Sequence, residues 1–304
     1  MIAAALFDQH RMHPAAEQEY TPYSPPPTAP LPEYLADLVV AALIDEVTLT
    51  PKPGLVDMRS RGAHRDLSWA LMCHSAWALH STFHAMAVAG QSMADLQRLR
   101  EHIGFLGRQG EASMMRATGD INSHRGAIWA LGLLVTAAAQ DCNALAPAAV
   151  AARAGVLARI PDPFSPVLTG NKGQRACHEY RVGGARAQAQ AGFPHVIEIA
   201  LPCLERSRAR GDKVNDARLN ALLAVIAELD DTCILSRGGT AALASVQAGA
   251  QRVLAAGGAA SPHGRSVLRQ YEEELLVLHV SPGGAADLLA ATLFLDQLRT
   301  DFVH

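Results

Sequence analysis

From Pro32 onward the chain repeats one spacing: apolar residues three and four positions apart. In PEYLADLVVAALIDEV, Leu35, Leu38, Val39, Ala42 and Leu43 fall on a single stripe, the signature of a helix with one face toward a core. Similar segments recur at about 66–89, 92–108, 123–140, 146–159, 173–191, 194–209, 214–229, 239–256, 263–279 and 283–301. Between them lie breakers such as PDPFSPVLTGNKG, AGFP, SRGGT, AAGGAASPHG and SPGG. No stretch has the β-branched and aromatic alternation of a strand. Only 5% of residues are aromatic although 49% are apolar, so alanine and leucine, both strong helix formers, carry the core. The spacing predicts an all-α, compact single-domain bundle of about ten helices over residues 33–304. Residues 1–32, ending in TPYSPPPTAPLP, are too proline-rich for regular structure and are expected to form a mobile tail. No fixed-period repeat is present, which disfavours a solenoid.

Charge and cysteine usage exclude several functions. A formal net charge of −3 offers no basic field for nucleic acid and no polybasic membrane patch. No apolar run reaches the ~20 residues that span a bilayer, and the start MIAAALFDQHRMHP has no basic leader. The five cysteines are an odd number at wide spacings without a CxxC, which argues against a disulfide framework or a cysteine zinc site and for a reducing, cytoplasmic setting. Abundant alanine would allow a flat helix–helix homodimer face without requiring one.

The polar residues of interest fall at helix junctions. In EVTLTPKPGLVDMRSRGAHRD, Pro51 and Pro53 hold Lys52 on a stiff arm and Gly54 permits a special turn. A cation there, beside Asp57, His64 and Asp66, suits a phosphate with its metal; solvated loop charges are the plain alternative. In ATGDINSHRGAIWALGLL, Asn122 or Ser123 makes an N-cap, with Asp120 as an ordinary helix-start residue. His124 and Arg125 then occupy a first turn that favours anions, a conflict a bound phosphate would resolve. In ELDDTCILSRGGTAALASV, Asp230 and Asp231 close one helix and Arg237, Gly238 and Gly239 open the next. Acids at a C-terminus call for a cation, either Mg²⁺ or Arg237. In HVSPGGAADLLAATLFLDQL, Ser281 and Pro282 start a helix, Gly283 and Gly284 allow close backbone approach, and Asp287 is a metal-ligand candidate. Gly183, Gly184 and Arg186 of YRVGGARAQAQAGFP form a weaker anion contact. A bundle that gathers these junctions at one end makes a metal–phosphate pocket. With no GxxxxGK[ST] and no GxGxxG after a strand, the familiar nucleotide cradles are excluded.

EVTLTPKPGLVD…GAHRD, NSHRGAIWALGLL, GGARAQAQAGFP, DDTCILSRGG and SPGGAADLLAATLFL together resemble the triphosphoribosyl-dephospho-coenzyme A synthase family, in matching order from about residue 35 to the C-terminus. The resemblance implies a transferase that joins ATP to 3′-dephospho-CoA through an α-1,2 ribosyl linkage and releases adenine. Its product is the prosthetic-group precursor for the acyl carrier subunit of malonate decarboxylase or citrate lyase, passed on by a holo-carrier-protein transferase. The wording of the second and fifth motifs inclines toward the malonate decarboxylase branch. On this reading Mg²⁺ rests on Asp57, Asp231 and Asp287. The triphosphate meets Lys52, Gly54, Asn122, His124, Arg125, Arg186, Arg237, Gly238, Gly239, Gly283 and Gly284. Glu46, His64 or Asp66 takes the proton from the attacking 2′-hydroxyl. The chain departs from the family pattern at Gln188 and Gln190, where the family carries acids, at Asp120, where a neutral residue is usual, and at Arg125, which replaces lysine. A Mg²⁺-dependent all-α hydrolase and a non-catalytic nucleotide-binding or scaffold protein are the alternatives.

Overall fold

A computed structural model describes residues 29–166 and 170–302 of the chain. Among these residues the structure is all-α, with thirteen α-helices, one π-helical segment and no strand. The helices are α1 (Leu31–Thr48), α2 (Trp69–Ala78), α3 (His80–Ser92), α4 (Leu96–Thr118), α5 (Arg125–Gln140), α6 (Pro147–Arg159), α7 (Lys172–Tyr180), α8 (Gly184–Gln190), α9 (Leu201–Ala209), α10 (Val214–Glu228), α11 (Thr232–Ala255), α12 (Pro262–Leu278) and α13 (Gly283–Phe302). A π-helical segment at His195–Ala200 leads into α9. Most of the proline-rich tail lies outside the described residues, and α1 begins at Leu31, with Pro32 in its first turn where a proline costs no hydrogen bond.

The count exceeds ten because several periodic stretches break. The stretch at 66–89 divides at Leu79 into α2 and α3, and 173–191 divides after Tyr180 into α7 and α8. Arg181, which follows α7, adopts φ 55°, a left-handed conformation that ends a helix. The third difference lies in α11, which starts at Thr232 and contains Gly239 at φ 68°, ψ −166°. Glycine is the residue that takes this backbone cheaply, so one hydrogen-bonded rod becomes two short ones around Arg237–Gly239.

The core is built on α1, α5, α10 and α13. Ala127, Ile128 and the unbroken run Ala130–Ala139 of α5 are buried, as expected of a helix surrounded by others. Helix α5 packs against α3, α6, α13, α4 and α1, while α10 packs against α11, α9 and α13. Small residues set the separations: a Cβ on Gly90 of α3 would lie 2.3 Å from the carbonyl oxygen of Thr136 on α5. Amphipathic helices such as α4 and α12 cover the outside, with Leu99, Ile103 and Met114, and Leu268, Tyr271 and Leu275, turned inward.

One ion pair is buried between the two halves of the helix order. Arg218 of α10 donates to Asp45 of α1 at 2.6 Å, and both residues are 7% exposed. Asp45 Oδ1 and Arg218 Nε have no other partner. Removing one member leaves a buried charge alone, so Arg218→Met is expected to cost about 3–5 kcal/mol in urea unfolding. Asp45→Leu/Arg218→Met is expected to recover most of that loss.

Candidate active site

The loop between α1 and α2, residues 49–68, folds back on itself around Asp57. One oxygen of this buried carboxylate accepts from the backbone N–H of Lys52 at 3.1 Å and from the Arg59 guanidinium at 3.0 Å. The other accepts from the N–H groups of Arg59 and Ser60 at 2.8 and 2.9 Å. Asp57 therefore organises the loop, with both oxygens already engaged. Gly54, at φ 71°, lets the loop press on the α12–α13 connection: a Cβ there would meet Leu275 Cδ2 at 2.7 Å and the Val280 carbonyl at 2.8 Å.

Lys52 is turned inward instead of reaching into solvent. It is 1% exposed, and its ammonium pairs with the Glu46 carboxylate, itself 4% exposed, from the last turn of α1. Burial pushes the lysine pKa down and the glutamate pKa up, and their mutual attraction opposes both shifts.

Two further carboxylates stand at helix starts, and one of them, Asp287, feels the charge of Glu46. Asp231 does not end α10, which stops at Glu228. It caps α11, accepting from Cys233 N–H at 2.7 Å, and also accepts from Ala285 N–H at the start of α13 at 3.0 Å. The Cβ that Gly284 lacks would sit 3.1 Å from both oxygens. Burial nevertheless raises the Asp231 pKa, against the pull of these amides. Asp287, one turn into α13 and half-buried, lies against the start of α5. A Cβ on Gly126 would be 2.0 Å from its Oδ2, and the N–H of Ala127 donates to it. Burial first, then the negative charges of Glu46 and Asp231, hold the Asp287 pKa well above the usual carboxylate range.

The histidines complete the group. His124 is 3% exposed, its Nδ1 is 2.9 Å from Ser75 Oγ, and its Nε2 has no partner. Burial, with the Lys52 charge second, lowers its pKa to about 4. His64 Nε2 meets the buried Ser281 hydroxyl at 3.0 Å, and its Nδ1 is 3.8 Å from an oxygen of the exposed Asp66. Burial and then Arg237 lower the His64 pKa to about 4, so both rings are neutral at pH 7. Arg237 is exposed and lies in the field of Cys233, as do Asp231 and Asp287. Glu46, Lys52, His64, Asp66, His124, Asp231, Arg237 and Asp287 thus form one connected charge network between the end of α1, the loop after it and the starts of α5, α11 and α13, with Gly283 and Gly284 beside it.

Other expected residues stand differently. Arg125 pairs with Glu111 of α4 at 3.1 Å, so a protein carboxylate, not a phosphate, already resolves its place in a first turn. Asn122 accepts from Arg125 N–H at 3.2 Å. Asp120 belongs to the end of α4, at φ 64° after Gly119, and does not start α5. Gly238 is exposed beside the Gly239 break. Arg186 is exposed, and its charge acts on Arg100, which shares Asp162 with Arg108. Gln188 bonds His195 at 3.1 Å and Gln190 bonds the Ala158 carbonyl at 3.3 Å, so both amides hold α8 to its neighbours. Asp57, Asp231 and Asp287 do not converge as a ready ligand shell: the one set of three His, Cys or acid donors within 4.8 Å among the described residues lies elsewhere. A groove of about 530 Å³ lined by Met93, Arg98, His102, Phe105, Arg108 and Phe164 shares no residue with the network.

The family model described as CitG: ATP:dephospho-CoA triphosphoribosyl transferase matches residues 32–303. The chain belongs to this family. A protein of Azotobacter vinelandii named as a probable 2-(5''-triphosphoribosyl)-3'-dephosphocoenzyme-A synthase is 57% identical over 274 residues, covering 90% of this chain and 94% of its own. A Pseudomonas syringae pv. syringae protein with the same name is 56% identical over 279 residues, covering 91% and 95%. The 2-(5''-triphosphoribosyl)-3'-dephosphocoenzyme-A synthase of Klebsiella pneumoniae is 54% identical over 266 residues, covering 87% and 94%. No solved structure matches. The family match spans α1 to α13 and therefore every residue of the network in this triphosphoribosyl transferase relative.

The histidine burial has a measurable sign. As pH falls below 6.5 the unfolded chain protonates His124, whereas the folded chain does so only near pH 4, so stability is lost on acidification across that window. The loss is on the order of 3 kcal/mol. The raised carboxylates act with the opposite sign, but equally in a variant that keeps them. The fall in urea midpoint from pH 7 to pH 4.5 is therefore expected to be smaller in His124→Gln than in the parent.

Proposed function

We propose that this chain transfers the triphosphoribosyl group of ATP to 3′-dephospho-CoA with release of adenine. The observation that carries this reading is the triad of buried or half-buried carboxylates, Glu46, Asp231 and Asp287, with raised pKa values beside Lys52 and Arg237. Three carboxylates whose charge burial disfavours, with Glu46 and Asp231 acting on Asp287, favour a cation, and the two basic groups suit the anion that comes with it. The residues fit Mg²⁺ in that sense: Asp287 and Asp231 would hold it, and the ion would neutralise triphosphate charge. One or two carboxylates with substrate phosphates suffice for Mg²⁺, so a preformed cage of three is unnecessary.

In the transfer, the 2′-hydroxyl oxygen of dephospho-CoA bonds to C1′ of the ATP ribose while the C1′–N9 bond breaks. Adenine departs with the electron pair, and positive charge develops on the ribose as in glycoside cleavage. The neutral His64 ring takes the hydroxyl proton. Ser281 fixes the ring through Nε2, leaving Nδ1 as the acceptor, and Asp66 at 3.8 Å stabilises the imidazolium that forms. Glu46 is held by Lys52, which makes it a less available base and a source of negative field instead. Alignment of two bound substrates supplies the remainder of the acceleration.

We further place the product in the supply of the malonate decarboxylase acyl carrier subunit, on the wording of HRGAIWALGLL and SPGGAADLLAATLFLDQL. Hand-off to a holo-carrier-protein transferase in the cytoplasm, and a homodimer, belong to the same proposal. Among the described residues no helix is long and apolar enough to cross a membrane.

Chromatography of reactions containing ATP, Mg²⁺ and 3′-dephospho-CoA is expected to show adenine only when dephospho-CoA is present. Adenine without dephospho-CoA would make the chain a hydrolase, and no adenine at all would make it a binding protein. His64→Gln is expected to lower kcat by about 10²-fold with a smaller change in KM.

A further inference from the structure

Outside the charge network, the outer face of α1 and α3 carries two acids and two histidines in a paired arrangement. Glu33 and Asp37 are four residues apart on α1, and His80 and His84 are four apart on α3. A four-residue step keeps both side chains of a pair on one helix face, and α1 and α3 pack directly on each other. His80 Nε2 is 2.9 Å from Asp37 Oδ1 and 3.9 Å from Glu33 Oε1, and His84 Nε2 is 3.4 Å from Glu33 Oε2. Glu33, Asp37 and His80 are the set whose donor atoms all lie within 4.8 Å of one another.

We propose that these residues form a binding site for a divalent transition-metal cation, with Zn²⁺ the best match, independent of the proposed transfer chemistry. Tetrahedral zinc at about 2.0–2.1 Å from each ligand puts neighbouring donor atoms roughly 3.3 Å apart. The separations of 2.9 and 3.9 Å from His80 to Asp37 and Glu33 bracket that value, and His84 is 3.4 Å from the second Glu33 oxygen. Two imidazoles with two carboxylates suit zinc, copper or nickel, whereas Mg²⁺ takes oxygen ligands. Ordinary surface ion pairs would account for an acid beside a histidine. They do not require two i, i+4 pairs on contacting helices to bring Glu33, Asp37 and His80 donors within 4.8 Å of one another, with His84 beside Glu33. The position matters mechanically, since Glu33 sits in the first turn of α1 and a bound ion would fasten that turn to α3. Trp77 stacks on the His80 ring at a centroid distance of 6.4 Å and so reports on a metal there.

The test is calorimetric titration of ZnCl₂ into the metal-stripped full chain with Mg²⁺ in excess, followed by melting. The expected result is one saturable equivalent of zinc and a raised Tm. His80→Ala is expected to weaken binding by about tenfold or more, with Asp37→Asn weakening it as well while apo Tm stays near the parent value. Paramagnetic Cu²⁺ is expected to quench tryptophan emission less in Trp77→Phe than in the parent. Absence of saturable binding, or zinc binding that both His80→Ala and Asp37→Asn leave unchanged, would overturn the site. Two folded variants on different helices keep the outcome readable if one substitution disturbs packing.

Discussion

The placement of acidic side chains on the amino ends of neighbouring helices organises this molecule. A helix start carries unpaired N–H groups and a partial positive charge, and here two of the three starts are met by an acid from another helix. Asp231 caps its own helix α11 and reaches the start of α13. Asp287, on α13, then reaches the start of α5. Three helices are joined in a chain of acid-to-amide contacts, and the side chains that could become substrate ligands are the ones that hold the bundle end together. Burial works against ionisation while the amides work for it, so the charge state depends on the arrangement staying intact.

This explains which features could be read from residues alone. The all-α class was legible because the three-and-four spacing is local and strong, as in residues 35–43 and 127–139. Lys52, His64, Asp231, Arg237 and Asp287 were legible as polar groups at junctions where an inert turn would have served. Their partners were not. The expectation that Asp231 closes a helix failed because two residues, Leu229 and Asp230, separate it from α10, and helix boundaries are poorly marked by propensity. The expectation that Ser281 caps α13 missed that its hydroxyl meets His64, 217 positions earlier in the chain. Nothing local announces that Lys52 turns inward to Glu46, since a lysine between two prolines reads as exposed. Gly126 offered a faint signal: a glycine in the first turn of an Ala/Leu helix costs helix stability, so it demands a steric reason.

Gln188 and Gln190, expected to stand where acids would, have structural partners. Both amides make hydrogen bonds that hold α8 to α6 and to the segment after it. An amide can donate as well as accept, which a carboxylate cannot do when ionised, and the bond from Gln190 to the Ala158 carbonyl uses that capacity. Both amides leave this seam neutral, and the carboxylates with raised pKa values in the site are Glu46, Asp231 and Asp287.

The contact between Gly126 and Asp287 has a consequence for how such sequences can diverge. The two positions lie 161 residues apart in the chain, yet a single methyl group on one occupies the space of the carboxylate on the other. Alanine at 126 would displace the acid, and a shorter residue at 287 would leave a hollow over the start of α5. The glycine is thus the steric counterpart of the acid: a side chain at 126 and a carboxylate at 287 compete for one volume.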